Sequence, residues 1–137
     1  MHIRSCTTLD RAGVIALWET VFADDPPHNA PAKVFDAKLS VHDGMLFIAT
    51  DADTVIGTAM AGYDGHRGWL YTVAVSPGRR RRGVGTALVR HAVDALRTAG
   101  CTKVNLQIRS TNLAVRRFYE SLGFAAEERL SMGMHIR

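Results

Sequence analysis

Apolar residues along the chain alternate between two periods. Val14, Leu17, Trp18 and Val21, with Leu9 before them, recur at helical spacing and predict a helix over 9–22, with Thr7 or Thr8 available as its cap. Val84, Leu88, Ala92, Ala95 and Leu96 repeat the pattern with Arg90, Asp94 and Arg97 between them, which predicts a helix over 84–98 ended by Gly100. A third helix is predicted over 113–122, with Val115, Phe118, Tyr119 and Leu122 on one side and Gly123 closing it. A weaker helical pattern covers 32–40. Between these lie short runs rich in β-branched and aromatic residues, which predict strands over 2–5, 45–50, 55–63, 69–75, 104–108, 124–130 and 132–136. Residues 51–54 read as a turn and Asp64-Gly65 as a hairpin signal. The segment 23–31, with three prolines, reads as a loop. The resulting order, βααβββαβαββ, predicts an α/β fold: a mixed, mostly antiparallel sheet of about six to seven strands flanked by about four helices.

At 137 residues with 47% apolar content, the chain is expected to form one domain with an ordinary core. Cys6 and Cys101 form no CxxC pair and are expected to be inert thiols. The six histidines show no ligand spacing, so no metal is expected, and His91 reads as a structural histidine on the apolar side of its helix. Residues 1–6 lack the apolar core of a signal peptide, and no apolar run is long enough to span a bilayer. A cytoplasmic protein without a membrane partner is the expectation. Neither a GxSxG elbow nor a GKS or GKT ending occurs, which removes serine hydrolases and P-loop nucleotide hydrolases.

Charge points to one place. Of 17 basic residues, four are the consecutive arginines 79–82, and the formal excess over the 13 acidic residues is also four. The loop therefore carries the whole net charge of the chain. Ser76-Pro77-Gly78 ends the strand before it, and Gly83-Val84-Gly85-Thr86 opens the helix after it. Free backbone N–H groups and the helix dipole favour an anion at such a helix start. Glycine there lets backbone approach the ligand closely. A compact polyphosphate fits this concentrated charge better than a long nucleic acid, whose binders spread basic residues over a face.

Val75-Ser76-Pro77 followed by Arg80-Arg81-Arg82-Gly83-Val84-Gly85 resembles the Arg/Gln-x-x-Gly-x-Gly/Ala signature of the GNAT superfamily of acyl-CoA-dependent N-acetyltransferases. The stretch from Asn112-Leu113-Ala114 through Arg116-Arg117-Phe118-Tyr119-Glu120 to Gly123-Phe124 resembles a second signature of that superfamily. Residues 60–68 are similar to a bacterial subgroup close to the ribosomal-protein N-terminal acetyltransferases. The resemblance spans nearly the full chain and implies acetyl-CoA as co-substrate, with its pyrophosphate on the backbone of Arg81, Arg82, Gly83, Val84, Gly85 and Thr86 behind the motif's first arginine, Arg80. It implies that the pantetheine arm adds like a strand beside Val73 and Val75, whose amides would also hold the thioester carbonyl. It further implies that Asn112 hydrogen-bonds the pantetheine, a role compatible with capping the helix that follows, and that Tyr119 protonates the departing thiolate. Where the signature usually has glycine, position 81 is arginine.

The general base is not identified by the resemblance. An alkyl ammonium with pKa about 10.4 is deprotonated in only about one molecule in two thousand at neutral pH, a cost of roughly 4 to 5 kcal/mol. The positions where relatives place a glutamate correspond to Tyr71 and Gln107. Glu19, Asp24, Asp25, Asp64 and His66 are alternative candidates, and a water relay is another. The expected acceptor is a primary amine on a small molecule or a peptide N-terminus, with Asp24 and Asp25 available to attract it. Two other classes stand beside the enzyme: a non-catalytic acyl-CoA sensor, and an RNA-binding module using residues 79–82. A monomer or homodimer is expected.

Overall fold

The computed structural model describes residues 1–27 and 30–136. His28 and Asn29, within the loop expected over 23–31, lie outside the described residues. Met1–Gln107 and Ile108–Arg137 form two compact units.

The first unit holds a five-stranded sheet in the order β1 to β5: β1 His2–Ser5, β2 Leu46–Asp51, β3 Thr54–Tyr63, β4 Gly68–Val75 and β5 Val104–Asn105. Neighbours are antiparallel from β1 through β4, whereas β5 joins β4 in parallel. The β2–β3 turn is tight, with Ala52 and Asp53 both at positive φ (47° and 66°), the backbone twist that a two-residue hairpin requires. At the next turn the Asp64 carboxylate accepts the N–H groups of His66 and Arg67, both at 2.7 Å.

Helices cover both faces. On one, α1 (Arg11–Val21) and α2 (Pro31–Val41) bring Val14, Leu17, Trp18 and Phe35 against Leu46, Ile48, Met60 and Ala74. Trp18 meets Phe35 edge to face at 6.4 Å. On the other face lies α3 (Val84–Thr98). A Cβ on Gly57 would come within 2.7 Å of Leu88 and 3.0 Å of Val84, so β3 approaches α3 closely here and a larger residue would force those side chains to shift. His91 sits edge to face with Phe47 at 4.8 Å, in the packing role expected of it. Residues 56–61 of β3 are consequently buried without interruption.

β1 to β4 and all four helices follow the sequence pattern within a residue or two. A short 3₁₀ turn, Thr8–Asp10, precedes α1 and is capped by Thr7. Two expectations are corrected. β5 spans only Val104–Asn105 rather than 104–108, and the strands expected over 124–130 and 132–136 are absent among the described residues. The sheet therefore has five strands rather than six or seven. Leu130, Met132, Met134 and Ile136, which alternate along this segment, are all exposed. Alternation shows which side chains would share a face, but a strand exists only where a neighbour supplies ladder hydrogen bonds. The second unit holds α4 (Leu113–Ser121), closed by Gly123 at φ +99°.

Candidate active site

The βα turn singled out in the sequence follows directly from β4. Ser76 N–H bonds the Ile56 carbonyl at 2.8 Å, tying the strand end to β3, and Arg79 N–H returns to the Ser76 carbonyl at 2.8 Å in a 3₁₀ turn over Pro77–Arg79. The Arg79 guanidinium pairs with Asp51, at the end of β2. That hydrogen bond, followed by the charges of Arg79 and Arg82, holds the Asp51 carboxyl below its ordinary range. One arginine of the four is thus committed to anchoring the turn, leaving Arg80, Arg81 and Arg82 exposed.

The backbone then passes through two left-handed residues, Arg81 at φ +64° and Gly83 at φ +80°. A Cβ on Gly83 would meet nothing within 4 Å, so the glycine faces open space. Buried Val84 seats the first turn of α3 in the core. The first intrahelical bond runs from Ala87 N–H to the Gly83 carbonyl at 3.0 Å. The amides of Val84, Gly85 and Thr86 therefore have no partner inside the helix. No acidic residue lies in that first turn to compete for them. Exposed arginines, first-turn amides without an intrahelical partner and the positive end of the helix dipole thus occur together in one turn, a combination suited to phosphate.

β4 itself is irregular in its middle. Met60 faces Tyr71 and Thr58 faces Ala74, so Thr72 and Val73 together oppose Ala59 in a bulge. Thr72 takes φ +50°, uncommon for a β-branched residue. Beyond Trp69 the β5 ladder stops, and among the described residues no strand pairs with that edge of β4 from 70 to 75. Val73 and Val75, half-buried, lie along this open edge. An extended ligand arm can bond to such an edge as an added strand would.

In the second unit, Asn112 is the N-cap of α4, its side chain accepting the Val115 N–H at 3.2 Å. The capping role is thus present. Tyr119 is buried between Phe118 and Phe124, with ring centroids at 5.0 and 5.5 Å. Burial pushes its phenol up to about 12, so it stays protonated through the neutral range.

The candidate bases are scattered. Tyr71 is exposed and stacked on Trp69, its phenol raised by burial first and by Asp64 second. Gln107 is exposed. Asp64 is used by its own turn, whose backbone N–H groups hold its carboxyl below the ordinary range. Glu19, Asp24, Asp25 and His66 are exposed. Among the described residues no group of three His, Cys, Asp or Glu could hold a metal. Both thiols are free. Burial raises that of Cys6 to about 12, leaving it unreactive at neutral pH.

The sequence reading missed the Asp51–Arg79 anchor and the Thr72 bulge. Thr58, whose hydroxyl donates to the Thr72 carbonyl at 2.9 Å, gives no local sign in the sequence of this tie to the bulge.

The family model described as acetyltransferase (GNAT) family matches residues 12–124, and the chain belongs to this family. An acetyltransferase of Yersinia pestis is 36% identical over 137 residues, covering 99% of this chain and 96% of the relative. Among solved structures, the ribosomal-protein-S18-alanine N-acetyltransferase of Escherichia coli superposes with a TM-score of 0.75 at 26% identity, covering 89% of this chain and 76% of that one. The aminoglycoside N-acetyltransferase AAC(6′)-Iy, solved in complex with CoA, shares the fold with a TM-score of 0.79 at 21% identity, over 98% of this chain and 93% of its own. The α/β class expected from the sequence is thereby borne out. No helix among the described residues is long and apolar enough to cross a membrane.

Proposed function

We propose that the protein transfers an acetyl group from acetyl-CoA to a primary amine. The observation that carries this reading is the continuous segment from the bulged, open-edged β4 through the arginine turn into α3. It offers amides for an extended thioester arm and, some residues on, a cationic cradle for phosphates. A relative solved with CoA on the same fold supports the choice of co-substrate.

In this reading the pyrophosphate lies on the Val84, Gly85 and Thr86 amides beneath Arg80 to Arg82. The thioester carbonyl accepts from the backbone at Val73. The amine nitrogen attacks that carbon, its electrons move onto oxygen, and the β4 amide stabilises the oxyanion. Collapse expels sulfur. A thiol has an ordinary pKa of about 8.5, so a phenol held at about 12 does not surrender its proton outright to a thiolate. Tyr119 therefore acts as a hydrogen-bond donor to the sulfur as charge builds there. The proton lost from nitrogen passes through water and completes the thiol. With Tyr71 and Gln107 at the expected base positions, a water relay carries the deprotonation. An amine whose own pKa lies near 8, such as a peptide N-terminus, reduces that burden.

Calorimetric titration with acetyl-CoA tests the reading. Saturable micromolar binding, about 8 kcal/mol, is expected. It should be lost in Gly83→Glu, which places bulk and negative charge in the cradle. No binding by the wild type would overturn the proposal. A screen of amines then separates a transferase from a silent acyl-CoA sensor, the reading favoured by the lack of a carboxylate at positions 71 and 107.

A further inference from the structure

Thr58 is a buried polar side chain in the sheet interior, fully shielded from solvent on β3. Its hydroxyl is engaged on both sides. It accepts the Trp18 indole N–H from α1 at 2.9 Å and donates to the Thr72 carbonyl in the β4 bulge, also at 2.9 Å. A hydroxyl has one proton to give, and the indole N–H only donates. With Trp18 occupying a lone pair, the Thr58 proton is directed to Thr72. The relay thus has a fixed sense, from α1 through β3 to the bulge.

The target of that relay is the peptide between Thr72 and Val73. Thr72 sits at φ +50°, a conformation that persists only where surroundings impose it. A trans peptide is planar, so its carbonyl and its N–H point in opposite directions. Because the Thr72 carbonyl is drawn toward Thr58, the Val73 N–H is turned away from Thr58. Val73 belongs to the stretch of β4 that the β5 ladder leaves uncovered.

We propose that Trp18 and Thr58 are positioning residues for acyl transfer: through the Thr72 carbonyl they aim the Val73 N–H at the thioester carbonyl oxygen of acetyl-CoA. This rests on the acetyl-CoA reading above. Neither residue touches the reacting atoms, and both act through one peptide plane.

The readout is the carbonyl stretch of [1-¹³C]acetyl-CoA by isotope-edited infrared difference spectroscopy, free and bound, with affinity measured in parallel. Wild type is expected to bind and to move the stretch to lower wavenumber. Thr58→Val removes the donor at nearly constant volume and should abolish the displacement while changing Kd by less than about threefold. Thr58→Ser, which keeps the hydroxyl, should restore it. Should Thr58→Val fail to fold, Trp18→Phe leaves the Thr58 proton undirected and should broaden or diminish the displacement. Wild-type binding without displacement overturns the proposal, as does an undiminished displacement in Thr58→Val or, where only that variant folds, in Trp18→Phe. Absence of wild-type binding overturns the acetyl-CoA reading instead, so the two failures are separable.

Discussion

Arg81 stands in a left-handed conformation that side chains with a Cβ avoid, at a cost of roughly 1 to 2 kcal/mol. The signature's usual glycine at this position has that physical reason. Arg81→Gly should relieve the strain, less what glycine adds to the freedom of the unfolded chain, for a net gain of up to about 1 kcal/mol. Its ligand-free melting temperature is expected to rise by a few degrees, and a fall would refute the strain account. Tyr119 was legible as a buried aromatic with a hydroxyl, yet its elevated pKa follows from burial that no motif states. Tyr119→Phe should lower kcat by roughly 10² with acetyl-CoA affinity retained, measured by steady-state kinetics on an accepted amine. Equal kcat would remove Tyr119 from the chemistry. Thr58, by contrast, was hidden. Its partners are 40 and 14 positions away in the chain, and nothing local says that a threonine in an apolar strand will meet an indole.

Helices were the most readable parts, because an amphipathic repeat over three or four turns records the face that must be covered. Strand ends were less so. Val104 to Ile108 has the composition of a strand, but the parallel ladder with β4 stops after Asn105. The same applies to 124–136, where pattern without a partner gives no strand. Junctions carry their own chemistry. Arg4 on β1 reaches the Asp10 carboxylate with two bonds of 2.8 Å, and Asp10 also accepts the Thr7 N–H at 2.8 Å, fixing the entry to α1. Arg4 first, then Thr7, hold the Asp10 carboxyl down to about 2. The unfolded chain, with its carboxyl at about 3.9, binds the proton more readily. The stabilisation is therefore present above about pH 4 and lost as pH falls through about 2. Because Arg4 remains 39% exposed, water screens the pair, and about 1 kcal/mol is a fair magnitude. Urea denaturation should show Asp10→Asn less stable than wild type by that amount at pH 7 and equal to it near pH 2. A gap that persists in acid would mean the loss comes from packing instead.

The fold class and the family could be read from the chain, and the arginine turn located in it, because each rests on short-range order: periodicity, a charge run, glycines at a helix start. The bulge, the relay behind it and the extent of the sheet depend on pairings between distant segments, which a linear reading does not contain. Charge was legible at every level, since an otherwise balanced chain with four consecutive arginines declares where its excess resides. β3 has a different consequence. Its central residues are enclosed between helices on both faces and strands on both edges. Solvent reaches their amides only when the unit opens as a whole, so in deuterated buffer those hydrogens are the last to exchange, and their rate reports the global free energy of unfolding.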